Sequence, residues 1–506
     1  MALVPLGACT VGTISELSGD ERSSGPTGQT ARDPATGGEG ASSAGRDPAA
    51  GSASGEGRSS EPGAAPSVPE GSGSEKPQAD GGAGVARPPE QDPGQVSPPS
   101  SPPSHSSAGN ELPPCLRTVD VEDDPSLAAA VAGAQPGDCI VLADGDYRSF
   151  RGPISPKGTA EAPIVIRSAN KLGARIHGPG QWQMDNLGGL EVVGASHVIF
   201  WGLTFPGYSP INIVDSKYCR ITRCKFVEGA ARSDNSEGVR IDHNDFGPKR
   251  LQGHQAQAKH RATNTRIDHN YFHDVSPGQN GRDTVTLGCC GPEIDYYEAK
   301  SILENNLFVN CRGEAELISV KSSGNIIRYN TILDSAGTVT FRGGRKNTIH
   351  GNFIIGGSGI RIYDEDHLIY NNYVEVGSAL QAVGGGSGYA TVRRAVVVHN
   401  TFVGGVRLGG PDNLFASNIV TGGMSLGGAR SPGNLTGREG LVRRGMLLSL
   451  GDGARAIDAG GEAFPFVMDD LDGQPRSQPD VGADEWSTAP VLRRPLTRAD
   501  VGPDAP

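Results

Sequence analysis

Asn330-Thr331-Ile332, Asn352-Phe353-Ile354 and Asn372-Tyr373-Val374 repeat one pattern at intervals of 22 and 20 residues. Each has an asparagine, one intervening residue and a large apolar residue. The pattern extends upstream through Asn306-Leu307-Phe308, Asn270-Tyr271-Phe272 and Asn244-Asp245-Phe246 to Cys224-Lys225-Phe226, and downstream to Asn400-Thr401-Phe402 and Asn418-Ile419-Val420. A short strand, a polar turn and a return at this period mark a solenoid. The flanking runs are short and β-branched or aromatic, so the repeating unit is a β-coil and not a helix pair. The spacing predicts an all-β, single-stranded parallel β-helix with Ile, Val, Leu and Phe stacked inside. The asparagines read as turn formers that tolerate a left-handed backbone, not as ligands.

Length and composition agree. Leu112 to Trp486 is roughly 375 residues, long for one ordinary core but natural for a solenoid growing in one dimension. Of 506 residues 74 are glycine, without a collagen period, which suits many tight turns. No apolar run approaches the ~20 residues of a membrane helix. The net charge of −12 argues against nucleic acid and nonspecific polyanion binding, but not against a local basic groove.

Residues 19–111 are of another material. They contain no Phe, Tyr, Trp, Leu, Ile, Met or Cys and cannot bury enough surface to offset their ordering entropy, so they read as a disordered linker. Before them, in residues 1–18, Leu6-Gly7-Ala8-Cys9 resembles a bacterial lipobox, whose cysteine is lipidated after signal cleavage. Eight residues precede Cys9, with no basic segment and no full apolar stretch; either the start lies upstream or the match is chance. The expectation is an exported protein, whether secreted, periplasmic or a cell-surface lipoprotein tethered to a membrane through Cys9, and a monomer.

The domain, residues 112–486, opens with Asp124-Pro125-Ser126-Leu127-Ala128-Ala129-Ala130-Val131-Ala132, a capped run of helix formers expected to cover the open end of the coil. Asp469–Glu485 reads as a terminal turn region, and residues 487–506 as a loose tail. The eight cysteines show no zinc spacing. Cys219, Cys224 and Cys311 lie in apolar coil segments and read as buried thiols. A Cys115–Cys139 bridge is compatible with export, but the sequence alone does not assign it.

The chemistry concentrates between Gly313 and Arg342. Glu314 and Glu316 are two apart and share one side of a strand. Ser319 and Lys321 alternate with Ile318 and Val320, and Thr338-Val339-Thr340-Phe341-Arg342 alternates again. Paired carboxylates beside a lysine and an arginine are equipment for removing a proton next to a carboxylate. Lys321 to Arg342 is 21 residues and Arg342 to Arg361 is 19, each about one coil, which predicts a basic stripe along one sheet. The competing reading is a solvated ion network of little energetic worth.

Gly313-Glu314-Ala315-Glu316-Leu317-Ile318-Ser319-Val320-Lys321-Ser322-Ser323-Gly324-Asn325, with Gly337-Thr338-Val339-Thr340-Phe341-Arg342 and Gly359-Ile360-Arg361-Ile362-Tyr363, resembles polysaccharide lyase family six. That family contains chondroitinase B and many alginate lyases. The likeness covers roughly residues 113–486 and implies a right-handed parallel β-helix. It implies that Glu314 and Glu316 bind Ca²⁺, with Asn280 and Asp283 of Gln279-Asn280-Gly281-Arg282-Asp283-Thr284 as candidates for the remaining ligand. Lys321 would be the Brønsted base, Arg342 the residue at the leaving oxygen, and Arg361 and Tyr363 substrate contacts. Many relatives carry a histidine directly after the arginine, where this chain has Gly343.

The implied activity is β-elimination on an acidic polysaccharide, alginate before dermatan sulfate. A noncatalytic glycan-binding β-helix is the other class; it has no need of a base beside a cation site. A glycoside hydrolase would need paired acids without the adjacent lysine. The Gln-rich stretch Leu251–His260 reads as a loop over the groove, with His254 and His260 at the surface.

Overall fold

The computed structural model describes residues 112–180, 188–289, 296–382, 384 and 389–506. The linker and Cys9 lie outside the described residues, and the architecture below is that of the unit Glu90–Pro506.

Thirteen strands, from Arg117–Val121 to Leu414–Ala416, form one sheet in strict chain order, one strand per coil. A second sheet of 22 strands collects the remaining coil segments, and its neighbours are likewise parallel coil to coil. This is the predicted parallel β-solenoid. A two-stranded antiparallel hairpin, Leu441–Arg444 with Leu447–Leu450, follows the last coils.

The repeat's apolar position builds the interior. Phe205, Phe226, Phe246, Phe272 and Phe308 stack face to face with centroids 4.6–4.9 Å apart, the spacing of adjacent strands. Ile332, Ile354, Val374 and Phe402 continue the column, all buried. The asparagines do more than turn the chain. From Asn244 to Asn418, each donates its main-chain N–H and its side-chain Nδ2 to the Oδ1 of the next repeat's asparagine, at 2.9–3.1 Å. The left-handed residue is the one before: His243, His269, Asn305, Tyr329 and Asn371 have φ between 50° and 57°. The asparagine is a buried ladder rung, because an amide offers two donors and an acceptor to a backbone otherwise unpaired at the turn.

The helix spans Asp124–Ala132, with Asp123 as its N-cap. Asp123 accepts from Ser126 N at 2.9 Å, and Ser126 Oγ accepts from Asp123 N. Leu127 and Val131 enter the core beside Val121 and Ile140. Cys115 and Cys139 are joined in a disulfide. Cys219, Cys224 and Cys311 are free and buried, and burial pushes the Cys219 thiol up to about 11 and the other two to about 12.

Two expectations need correction. Residues 487–506 are not loose: the segment runs back along the column of left-handed turn residues as a strap. Arg493 lies over the Tyr329 ring, Leu496 N donates to Thr331 Oγ1 at 2.8 Å, and Arg498 lies over Tyr271 and pairs with Asp245. Further along, Gly502 N donates to His269 O, and Arg223 donates to Pro503 O and Ala505 O. The strap has little apolar content, which is why it reads as a tail; main-chain hydrogen bonds and arginine stacking hold it. The second correction concerns Leu251–His260. Its latter half, Ala256–Lys259, is a buried coil strand paired with Ala231–Asp234 and Val285–Leu287.

Candidate active site

The strand Glu316–Lys321 lies between Val285–Leu287 and Thr338–Gly343, and the latter pairs onward with Ile360–Ile362. Ile318 and Val320 point into the core, so Ser319 and Lys321 face outward. The register brings Thr286, Ser319, Thr340 and Arg361 into one transverse row. Lys321 is opposite Gly343, with a bulge between Val320 and Lys321. Lys321, Arg342 and Arg361 are therefore on successive strands but not in one row: the bulge leaves Gly343 opposite Lys321, and Arg361 is opposite Thr340, two residues before Arg342. Glycine is required beside them. A Cβ at Gly344 (φ +82°) would lie 2.2 Å from Ser322 O, and one at Gly288 (φ +92°) 2.6 Å from the Lys321 carbonyl carbon.

Three carboxyls gather at the start of this strand. Asp283 is 3% exposed. Its Oδ2 accepts from Thr286 Oγ1 at 3.1 Å, while its buried Oδ1 has no hydrogen-bond donor among the described residues. Glu314 Oε2 accepts from Gly281 N at 3.2 Å, and its carboxyl is close enough to Asp283 for the two to share a proton. Burial, then the Asp283 carboxyl and the Glu316 charge, push Glu314 up to about 9. Burial also disfavours the Asp283 anion, but the Glu314 hydrogen bond and the charges of His254 and Lys321 hold it below its ordinary range. Glu316 accepts from Ser319 Oγ at 2.5 Å and from Arg361 Nη2 at 2.6 Å, with Arg342 Nη1 3.7 Å away.

Arg342 lies over the Tyr389 ring at 5.6 Å, and Tyr389 stacks on Tyr363 with centroids 4.4 Å apart. Arg361 lies over Tyr363 at 5.8 Å. Although burial opposes its charge, Glu316, Tyr389, Asp283 and Glu314 raise the Arg342 pKa.

The structure thus brings Asp283, Glu314, Glu316, Lys321, Arg342, Arg361 and Tyr363 to one face. Asn280 is exposed, its carbonyl accepting from Gln252 Nε2 at 2.8 Å; Asp283 is the residue of that segment packed against Glu314. His254 is not a surface residue. Its Nδ1 is 3.2 Å from Thr286 Oγ1 and 3.3 Å from Asp283 O, and burial pushes it down to about 4. No short motif marks His254 or Tyr389, which reach the site from other coils. His260, half-buried, pairs with Asp234.

A cluster of carboxyls with one undonated buried oxygen suits a hard cation, and a lysine and two arginines beside it suit an anionic polymer. The comparisons fall on this region. The chondroitinase B family profile matches residues 211–408. No match emerges among curated proteins. Among solved structures, a mannuronic acid specific polysaccharide family 6 lyase from human gut microbiota is 25% identical, covering 62% of this chain and 83% of that one, with a TM-score of 0.53. The family 6 alginate lyase AlyGC is 23% identical over 74% of this chain and 59% of its own, TM-score 0.56. A family 6 polysaccharide lyase from Pseudopedobacter saltans is 19% identical over 76% and 99%, TM-score 0.55.

The fold is the parallel β-helix of these polysaccharide lyases. Over residues 211–408 the chain is similar to the chondroitinase B family, and its solved neighbours are family 6 polysaccharide and alginate lyases.

Proposed function

We propose that the protein cleaves a uronate-containing polysaccharide, with alginate rich in mannuronate as its preferred substrate, by cation-assisted β-elimination. The observation that carries this is the convergence of the Asp283, Glu314 and Glu316 carboxyls with Lys321, Arg342 and Arg361 on one sheet face. Asp283, Glu314 and Glu316 would hold Ca²⁺, which when bound supplies positive charge to the substrate carboxylate as negative charge spreads onto it.

The chain's own groups divide the remaining work. Lys321 takes the proton from C5 of the uronate, next to the carboxylate. The C5–H electrons form the C4=C5 double bond, and the C4–O bond breaks toward the departing sugar. Arg342 donates hydrogen bonds to that oxygen, and a water supplies its proton, since guanidinium keeps its own. Arg361 holds the polymer's carboxylates on the next strand.

Mannuronate is favoured because the relative with the highest identity given above is described as specific for mannuronic acid. A dermatan sulfate lyase is the second reading, supported by the chondroitinase B profile. The Cys115–Cys139 disulfide supports an exported protein, with Cys9 as its lipid anchor. Incubation with polymannuronate, polyguluronate and dermatan sulfate, following the ultraviolet absorbance of unsaturated uronate, tests the proposal. Product from polymannuronate is expected; none from any of the three overturns it.

A further inference from the structure

Arg342 is surrounded by possible anchors, yet among the described residues none takes its N–H groups at hydrogen-bonding distance. Glu316, the nearest anion, is already bonded to Arg361 at 2.6 Å and Ser319 at 2.5 Å; Arg342 Nη1 stays 3.7 Å off. A guanidinium with about five donors and several rotatable bonds needs something to fix it before it can serve a reacting oxygen. What lies against it is the Tyr389 ring, 5.6 Å from the guanidinium carbon. A ring face attracts a cation without accepting a hydrogen bond from its edge, so this contact uses none of the donors. Tyr389 is itself held by parallel stacking on Tyr363, 4.4 Å away at 17°. Tyr363 directly follows the strand Ile360–Ile362, which the sheet fixes in register.

Resting on the lyase reading, we infer that Tyr389 is a positioning residue for Arg342: its ring holds the guanidinium over the sheet with its N–H edge turned to the departing oxygen, and Tyr363 backs the ring. Tyr389 touches no reacting atom in this scheme. Its effect passes through Arg342 and through the ring, not the hydroxyl.

The test is kinetic and spectroscopic, on the full chain. Tyr389→Leu lowers kcat about tenfold with KM changed less than about twofold, the size of one partly desolvated cation–π contact. Tyr389→Phe restores the rate, and in an Arg342→Gln background Tyr389→Leu costs less than about twofold more. The Arg342 Nε–Hε proton, assigned by its loss in Arg342→Lys, shows a ring-current shift in wild type and Tyr389→Phe that disappears in Tyr389→Leu. Losses that multiply independently, a Phe variant as poor as Leu, or an unshifted Arg342 resonance would each overturn the role. If wild type releases no unsaturated product from any polymer, the lyase reading fails, while the resonance arm still decides whether Tyr389 holds Arg342.

Discussion

Arg361 Nη2 lies 2.6 Å from Glu316 Oε1, although their strands are separated by the strand Thr338–Gly343. One carboxylate thus serves two masters: it neutralises an arginine meant for the polymer and belongs to the set proposed to hold the cation. Replacing Arg361 by glutamine removes a positive charge from that set. Calcium affinity of the free protein should rise about fivefold, on the order of 1 kcal/mol for a charge at a few ångströms in a partly hydrated site, while polymer binding weakens. Calorimetry with Ca²⁺ alone reads this directly, and unchanged or weaker calcium binding would remove Glu316 from the ligand set.

Lys321→Ala should reduce release of unsaturated uronate at least about a thousandfold, toward the upper range for a proton-transfer group. Lys321 ends its strand facing outward, so Tm should stay close to wild type. Turnover within about tenfold of wild type would assign the base to another residue.

Chelation of divalent ions should stop turnover, Ca²⁺ should restore it, and Mg²⁺ should do so poorly because it demands a tighter octahedral shell. Glu314→Gln should be impaired at every calcium concentration. Full activity after exhaustive chelation, with no metal by elemental analysis, would leave the arginines alone to neutralise the substrate carboxylate.

Removing residues 491–506 should lower unfolding stability by about 3 kcal/mol, counting three seats of the strap, on Thr331, His269 and Arg223, at about 1 kcal/mol each. Urea unfolding measures the change. Identical curves would mean that the strap contributes nothing in solution.

Asp472 offers a pH test far from the chemistry. Burial, with the Asp484 and Asp470 charges, pushes its carboxyl up to about 7, against about 4 in an unfolded chain. The folded protein thus binds a proton there that the unfolded one has lost, and this group's contribution falls as pH rises from about 4 to 7. Asp472→Asn should stabilise the protein, with a Tm gain that grows across that window and is flat above it. A gain independent of pH would show that Asp472 ionises normally in the fold.

Much of this was legible because the solenoid repeats its physics. The Asn-x-apolar pattern gave the coil, and the apolar residue in each repeat became the aromatic and aliphatic column. What escaped was whatever depended on how coils line up. Lys321, Arg342 and Arg361 are spaced by about one coil, yet a bulge leaves Gly343 opposite Lys321 and the register seats Arg361 opposite Thr340, and residue counting sees neither. Asn280 and Asp283 looked equivalent in one segment; only burial against Glu314 separates them. His254 and Tyr389 come from coils before and after the motif, so no local pattern could include them. The strap was misread for a different reason: main-chain hydrogen bonds and arginine contacts hold it, and neither leaves an apolar pattern in the sequence.

That strap changes what kind of object the coil is. A stack whose turns touch only their neighbours tolerates a slipped turn, because each contact is local and the error is passed along unseen. Residues 493–506 instead find seats on Tyr329, Tyr271, His269, Arg223 and Lys171 in succession. One missing or doubled turn would displace the later seats by about 4.8 Å and leave the strap unable to lie down. Synthesised after every coil it crosses, it works as a gauge laid against a finished rod, and only a rod with all its turns in order fits.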